Sequence, residues 1–321
     1  MADFGPDGLT CPLDPSIKLY GVVAKSCSVF KSAVQPMKMT FTSRKFSIDR
    51  EIRATQEFPE LGQYSVVFKN GDDTRQDSLV NNMVAIMDYL LKQVRYDFKF
   101  TPFKVLAASP NDGILEFVPS RTITEAQNLS NGNLQTYLIG LNSDPVKQKK
   151  ILDTYLWSCA GYAVATYLLA IGDRHLENLM VTENGNFFHL DFGFILGRNP
   201  KGKQNYSPIR LNSEIIKGMG GEKSKGYEEF KDKTIDAFLQ LRNHRHYLLN
   251  ILTLMVDAKL KDLPEDDYAR ILREMNNRFL PGVSNEEARE IFAQIIHESV
   301  HAIFANLVYE PLHNLAVWWK Y

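Results

Sequence analysis

The chain has 321 residues, 44% of them hydrophobic and 23% charged, the balance of an ordinary water-soluble fold with room for one large domain or two lobes. A formal net charge of -1 excludes a bulk electrostatic footprint for nucleic acid, so any attraction to a membrane must come from local patches. Cys11, Cys27 and Cys159 lie far apart without metal-type spacing and read as reduced thiols of a cytoplasmic protein. No secretory leader is visible, and no uncharged apolar run reaches the roughly 20 residues of a membrane span.

Residues 1–17 are rich in Gly, Pro and Asp and read as a linker, as expected of a piece of a larger protein. Segments 18–30, 37–43 and 64–69 are β-branched and aromatic and predict strands. Residues 31–36 join two of them as a turn that could cover a ligand, and Gly71-Asp72-Asp73 ends the third. Val80, Met83, Val84, Met87, Leu90, Leu91 and Val94 recur at helical spacing, with Asp77 at the start of that helix. Segments 103–107 and 114–118 predict a strand pair turning at 109–113. The first lobe therefore spans 18–118, and the mainly helical second spans 119–321. A cleft between such lobes is a usual place for a small-molecule site.

In the second lobe, 155–171 is the most apolar stretch and predicts a buried helix. The segment 285–308 carries Ile291, Ile295, Val300, Ile303 and Leu307 near one face and reads as amphipathic. The chain closes on an aromatic helix over about 310–321, ending Trp318-Trp319-Lys320-Tyr321. Arg242-Asn243-His244-Arg245-His246 reads as a solvated helix face.

The chemistry concentrates between residues 172 and 193. Gly172-Asp173-Arg174-His175-Leu176-Glu177-Asn178 offers a carboxylate, a histidine and an amide, and His189-Leu190-Asp191-Phe192-Gly193 offers a second carboxylate. The intervening residues 179–190 read as strand, tight turn, strand. A hairpin there would set Asn178 beside Asp191, an oxygen pair suited to a hard divalent cation on nucleotide phosphates. Protein kinases hold their ions with an Asp and an Asn, and a loop Asp faces the acceptor hydroxyl. The order here is Asp-Arg-His rather than His-Arg-Asp, so the parts of phosphoryl transfer are present on a differently wired loop.

Phe30-Lys31-Ser32-Ala33, the run from Phe68 to Asp77, Gly172 to Asn178 and Asp191-Phe192-Gly193 occur in that order. Together they resemble the phosphatidylinositol 3-kinase catalytic domain from about residue 18 onward. Residues 195–201, 214–221 and 298–302 are most like class III, the vacuolar-sorting type. The resemblance implies an α+β, bilobal protein-kinase-like fold with a small β-rich first lobe. It implies a lipid kinase using ATP with Mg2+ or Mn2+. Its substrate would be phosphatidylinositol, phosphorylated on the 3-hydroxyl. It further implies a kinase-like regulatory scaffold, a coiled-coil autophagy partner and a peripheral place on endosomal or autophagic membranes.

Carried onto this chain, the resemblance gives Ser32 and Lys69 to ATP phosphates and Asp77 to the helix carboxylate near Lys69. It gives Phe117 and Val118 to the hinge, and Met180 and Leu190 to the purine wall. Asn178 and Asp191 become the metal ligands. Asp173 and His175 face the acceptor, and either could lead its deprotonation. Arg174 reads as a structural ion-pair partner. Phe103 stands where the family commonly has tyrosine and lacks the hydroxyl that would reach a carboxylate. The activation loop, about 191–212, carries Arg198, Lys201, Lys203 and Arg210, dispersed cations that suit an unphosphorylated inositol lipid. Trp318, Trp319 and Lys320 imply an interfacial membrane contact. The rival readings are a serine/threonine kinase of the phosphatidylinositol-kinase-related group and a non-catalytic ATP-binding scaffold.

Overall fold

The computed structural model describes residues 3–31, 34–47, 60–200 and 208–304, without the side chains of 302–304. The chain forms two compact units, residues 1–81 with 103–118, and residues 82–102 with 119–321. Ser32, Lys201, Lys203, Trp318, Trp319 and Lys320 lie outside the described residues.

The first unit is built on an antiparallel sheet. Its strands are β1 (Leu9–Thr10), β2 (Ile17–Val22), β3 (Ser28–Val29), β4 (Met37–Lys45), β5 (Gly62–Asn70), β6 (Val105–Ser109) and β7 (Asp112–Glu116). The order is β1-β2-β4-β5-β7-β6, with β3 pairing β4 beside β2. The expected strand 18–30 is interrupted by a 3-10 turn at Ala24–Ser26, which separates β2 from β3. The expected turn 109–113 shortens to Pro110 and Asn111, because Asp112 and Gly113 are drawn into pairing with Asn70 and Lys69. Gly113 is required at that place: a Cβ there would lie 2.0 Å from the Thr74 hydroxyl.

The linker reading of residues 1–17 is corrected. Leu9–Thr10 pairs with β2, and Asp3 bridges Gly21. Cys11, Ile17 and Leu19 form a buried cluster packed by Phe4, Leu13, Phe41 and Tyr64. The Gly- and Pro-rich composition marks turns between these anchors, and their apolar side chains are too widely spaced to show a strand period.

Asp14 lies inside this edge, its side chain 8% exposed and paired with Lys104. Burial alone would raise its pKa, but bonds from Lys104 and from the Ser16 hydroxyl and amide outweigh burial and hold it at about 2. A depressed carboxylate contributes stability above its unfolded pKa, and that contribution is lost as pH falls through the folded value. The full linkage is about 2 kcal/mol, and about 1 kcal/mol is expected because Lys104 is half exposed. Thermal midpoints should therefore fall between about pH 4 and 2, and Asp14→Asn should flatten that part of the curve; an unchanged pH profile would contradict this.

Helix α1 (Arg75–Gln93) follows β5 and buries Val80, Met83, Val84, Met87 and Leu91 of the expected face, with Leu79 joining them and Leu90 only half-buried. Val94 falls beyond its end and is exposed.

The second unit continues with β8 (Arg121–Thr122), α2 (Ile123–Asn128), α3 (Leu134–Gly140), α4 (Pro145–Leu168), β9 (Leu179–Val181) and β10 (Phe187–His189). It ends with α5 (Ser213–Gly218), α6 (Lys225–Arg242), α7 (Arg245–Leu254), α8 (Tyr268–Asn277) and α9 (Asn285–Phe304). Helix α4 opens at Asp144, whose carboxylate accepts the Val146 amide, with Pro145 next in line. From Thr154 to Leu168 every residue but Trp157 is buried, which explains an apolar run without amphipathic period. Tyr167, Phe238 and Phe292 pack mutually and join α4, α6 and α9. In α9 the buried face is Ala288, Phe292, Ile295, Ile296, Ser299 and Val300. No described helix is long and apolar enough to cross a membrane.

Candidate active site

The site begins with the floor beneath the hairpin. β9 and β10 pair with Leu179 opposite His189, Met180 opposite Phe188 and Val181 opposite Phe187, and β8 adds the third strand. All six residues of β9 and β10 are buried, so the pair is fixed by packing on both faces. Helix α4 fastens it: the Ser158 hydroxyl accepts the Phe187 amide at 2.8 Å. His189 stacks on Tyr162 at 5.3 Å and meets Phe187 edge-on. Burial first, and the Arg174 charge second, hold the His189 pKa well below the ordinary imidazole range, so the ring is neutral at physiological pH.

This register decides where the polar groups emerge. The Leu190 amide donates to the Asn178 carbonyl at 2.9 Å, extending the ladder by one rung. Asn178 therefore faces Leu190, and Asp191 is the next residue out. The Asn178 side chain is buried, and its Nδ2 donates to the Asp173 carbonyl at 3.0 Å, which identifies Oδ1 as the end a cation would take. Asp191 is exposed, and its Oδ1 accepts the Gly193 amide at 3.2 Å in an Asx turn that orients the carboxylate. His175 is exposed and Asp173 half-buried.

The loops that carry these groups are interleaved. Leu196 N–H donates to Leu169 O, Gly197 N–H to Ala170 O, and Gly172 N–H to Phe194 O. The Ile195 amide donates to the buried Asp262 carboxylate at 2.8 Å. Ala170, Asp173, Asp191 and Leu196 all adopt positive φ, at 45°, 49°, 57° and 52°. Backbone held in that region is costly for non-glycine residues, and its concentration beside polar groups marks a site built by its surroundings. Gly172 sits where the strands of this weave touch: a Cβ there would lie 2.3 Å from the Arg198 carbonyl and 2.5 Å from Asn199 Oδ1.

Arg174 is a structural residue, as expected, but it works through carbonyls. Its Nε donates to Gly172 O at 2.7 Å, one terminal nitrogen to Leu190 O at 2.7 Å and the other to Asp191 O. It thereby ties the Asp-Arg-His loop to the end of the hairpin, next to both candidate ligands. Its guanidinium also lies 5.5 Å from the Phe192 ring centre.

Of the four cations expected to serve the substrate, two lie within the described residues, and Arg198 pairs with Asp267 at 3.2 Å. Arg210 donates to Ile171 O at 3.0 Å and to Asn199 Oδ1 at 3.2 Å. Both hold the ends of the loop in place. Met180 is buried on β9 and Leu190 half-buried.

In the first unit, Lys69 is the penultimate residue of β5 and donates to Asp72 at 2.8 Å, with 14% of its side chain exposed. Asp77 is buried in the first turn of α1. The Asp77 carbonyl accepts Asn81 Nδ2 at 2.9 Å, and Asn81 Oδ1 accepts the Phe103 amide at 3.2 Å. Phe103 is thus a buried residue held through its backbone amide. The Phe117 amide donates to Ser65 O at 3.0 Å, and Lys38 lies 4.1 Å from the Phe117 ring centre.

Sequence reasoning missed His189, Asp262 and Asp267. Asp262 and Asp267 act on residues more than sixty positions away, at 67 and 69, and no local pattern marks them. His189 adjoins the motif, but a uniformly buried strand has no alternation to show that its ring faces the core.

The profile named phosphatidylinositol 3- and 4-kinase matches residues 63–264, more than half of the chain and all of the interleaved loops. The chain belongs to the phosphatidylinositol 3- and 4-kinase family. Among curated relatives, phosphatidylinositol 3-kinase pik3 of Schizosaccharomyces pombe is 39% identical over 91% of this chain and 35% of its own length. Phosphatidylinositol 3-kinase VPS34 of Arabidopsis thaliana is 39% identical over 90% of this chain and 34% of its own. VPS34 of Saccharomyces cerevisiae is 37% identical over 97% of this chain and 34% of its own. The chain therefore spans about a third of the length of these phosphatidylinositol 3-kinases.

A divalent ion fits the family site as a shared ion. Among the described residues no cluster of three His, Cys, Asp or Glu side chains could hold a metal alone. One carboxylate and one amide oxygen suit an ion whose remaining ligands are phosphate oxygens and water.

Proposed function

We propose that the chain is the catalytic part of a class III-type phosphatidylinositol 3-kinase. It transfers the γ-phosphoryl group of ATP to the 3-hydroxyl of phosphatidylinositol and yields phosphatidylinositol 3-phosphate. The observation that supports this best is the hairpin register, which sets Asn178 opposite Leu190 and Asp191 next to it. The names of the relatives supply the lipid and the 3-position.

In this reading Asn178 and Asp191 would hold Mg2+ or Mn2+, which would supply positive charge against the nucleotide phosphates. Lys69, positioned by β5, takes the phosphates in exchange for Asp72, and the resemblance gives Ser32 to the phosphates and Asp77 to the helix carboxylate that serves Lys69. The resemblance assigns Met180 and Leu190, and separately Phe117 and Val118, to contact with adenine. The Phe117 amide is already engaged by the Ser65 carbonyl. The 3-hydroxyl loses its proton to His175 or Asp173 as its oxygen bonds to phosphorus, and the bond to ADP breaks. With Arg198 and Arg210 bracing the loop ends, Lys201 and Lys203 meet the lipid phosphodiester. Trp318, Trp319 and Lys320 anchor the chain at the interface. The full-length protein works with a kinase-like scaffold and a coiled-coil partner on endosomal or autophagic membranes.

Incubation with labelled ATP and either phosphatidylinositol vesicles or a serine/threonine peptide tests the assignment. A single product comigrating with phosphatidylinositol 3-phosphate is expected. Label on the peptide alone would assign the chain to the protein-kinase rival, and label on neither would leave the scaffold reading standing.

A further inference from the structure

The basic run at the α6–α7 junction has no part in the site described above. From Arg242 to Leu254 the sequence holds two arginines, two histidines and no acidic residue. Arg242 does not lie on a solvated face as expected: it donates to the carbonyls of Phe279, Leu280 and Val283 and to Asn285. Arg245 has a terminal nitrogen 2.9 Å from His246 Nε2, and its Nε is buried without a hydrogen-bond partner. Among the described residues neither arginine has a carboxylate partner. Burial, and then the nearby charge of Arg245, lowers the Arg242 pKa, as expected for adjacent cations without a counter-charge.

The same helix carries an apolar stripe on its outer face. Tyr247 is 54% exposed and Leu254 80% exposed, while Leu248 and Leu252 are buried on the opposite side. Tyr247 and Leu254 are seven residues apart, two helical turns, so they share one line, with half-buried Ile251 beside it. Single exposed apolar residues are ordinary. A tyrosine–leucine line with an uncompensated cation cluster at its head is the arrangement of a helix that lies in a membrane interface.

We propose that α7 docks on an anionic bilayer, with Tyr247 and Leu254 entering the headgroup boundary and Arg245 and His246 meeting lipid phosphates. Charge complementarity selects this occupant: the helix and its approach carry two arginines and no acidic residue, and the cytoplasmic leaflet is anionic. The position is coherent with the lipid reading. Helix α7 packs on α8, and Asp267, at the N-cap position of α8, pairs with Arg198 at the start of the activation loop. The inference concerns binding and is measured without turnover, so it stands or falls separately from the catalytic assignment.

Flotation of the full chain with vesicles tests it. Binding should be stronger to phosphatidylcholine vesicles containing phosphatidylserine than to phosphatidylcholine alone. Arg245→Glu should weaken binding to the anionic vesicles at least about fivefold, the effect of one basic residue near such a surface. Leu254→Glu and Tyr247→Ser should weaken binding to both vesicle types, with thermal midpoints and turnover of a soluble short-chain lipid unchanged. Equal vesicle affinity of the parent chain and all three variants would overturn the proposal. So would self-association, seen by sedimentation velocity, that Leu254→Glu abolishes, since the stripe would then belong to a second copy.

Discussion

Replacing Asp191 by Asn is expected to lower kcat at least about a thousandfold, the loss of roughly 4 kcal/mol of charge stabilisation at the transferring phosphate. Asn is the informative substitution because Asp191 sits at φ 57°, a conformation that Asn tolerates and Ala does not. Asn also retains the side-chain oxygen that accepts the Gly193 amide at 3.2 Å, so the Asx turn survives and only the charge is removed. The residue is exposed, and the thermal midpoint should stay within about 1 °C of the parent, as for most surface changes. Asn178→Ala should give a similar loss of activity with some loss of stability, because its Nδ2 leaves the Asp173 carbonyl unpartnered. Retention of near-parental kcat in the Asp191→Asn chain would remove the metal assignment.

A second large effect is expected at a residue that touches no substrate. Gly172→Ala would push a methyl group to 2.3 Å from the Arg198 carbonyl and 2.5 Å from Asn199 Oδ1. One of these is backbone, so a side-chain rotation cannot relieve the contact. The segment 194–199 must move away from 169–172, and the three backbone bonds that lace them together weaken with it. A cost of about 3 kcal/mol or more follows, in the range of severe overpacking. Asp173 is the next residue, so the loop that carries it and His175 shifts as well. Both the thermal midpoint and kcat/KM should fall. The matched control is Gly140→Ala at the end of α3, where the added methyl meets no atom within 4 Å and should leave both unchanged. Parental stability in Gly172→Ala would show that the loop packing is looser than the contacts indicate.

Much of this arrangement is visible in the residues themselves. The hairpin is announced by Glu183-Asn184-Gly185-Asn186 between two apolar triplets, and its register follows once the turn is placed. Helix α1 is legible because its buried residues repeat at three and four. What escapes is long-range. The clamp from Arg174 to the carbonyls of Gly172, Leu190 and Asp191 depends on backbone positions that no side-chain pattern encodes. The Asp262 carboxylate that holds the Ile195 amide belongs to a different loop. The first residues escape for another reason: Cys11 and Leu13 are anchors separated by Pro and followed by Asp, and a strand of two residues such as Leu9–Thr10 is too short to carry a period. Arg198 and Arg210 are legible as charge but not as partners, since Asp267 and the Ile171 carbonyl meet them only in the folded chain.

The most direct test is an anomalous-scattering map of crystals grown with Mn2+ and a non-hydrolysable ATP analogue. A manganese peak within about 2.5 Å of both Asn178 Oδ1 and an Asp191 carboxylate oxygen is expected, with phosphate oxygens completing its shell. A peak bound to nucleotide but away from these two side chains would contradict the assignment.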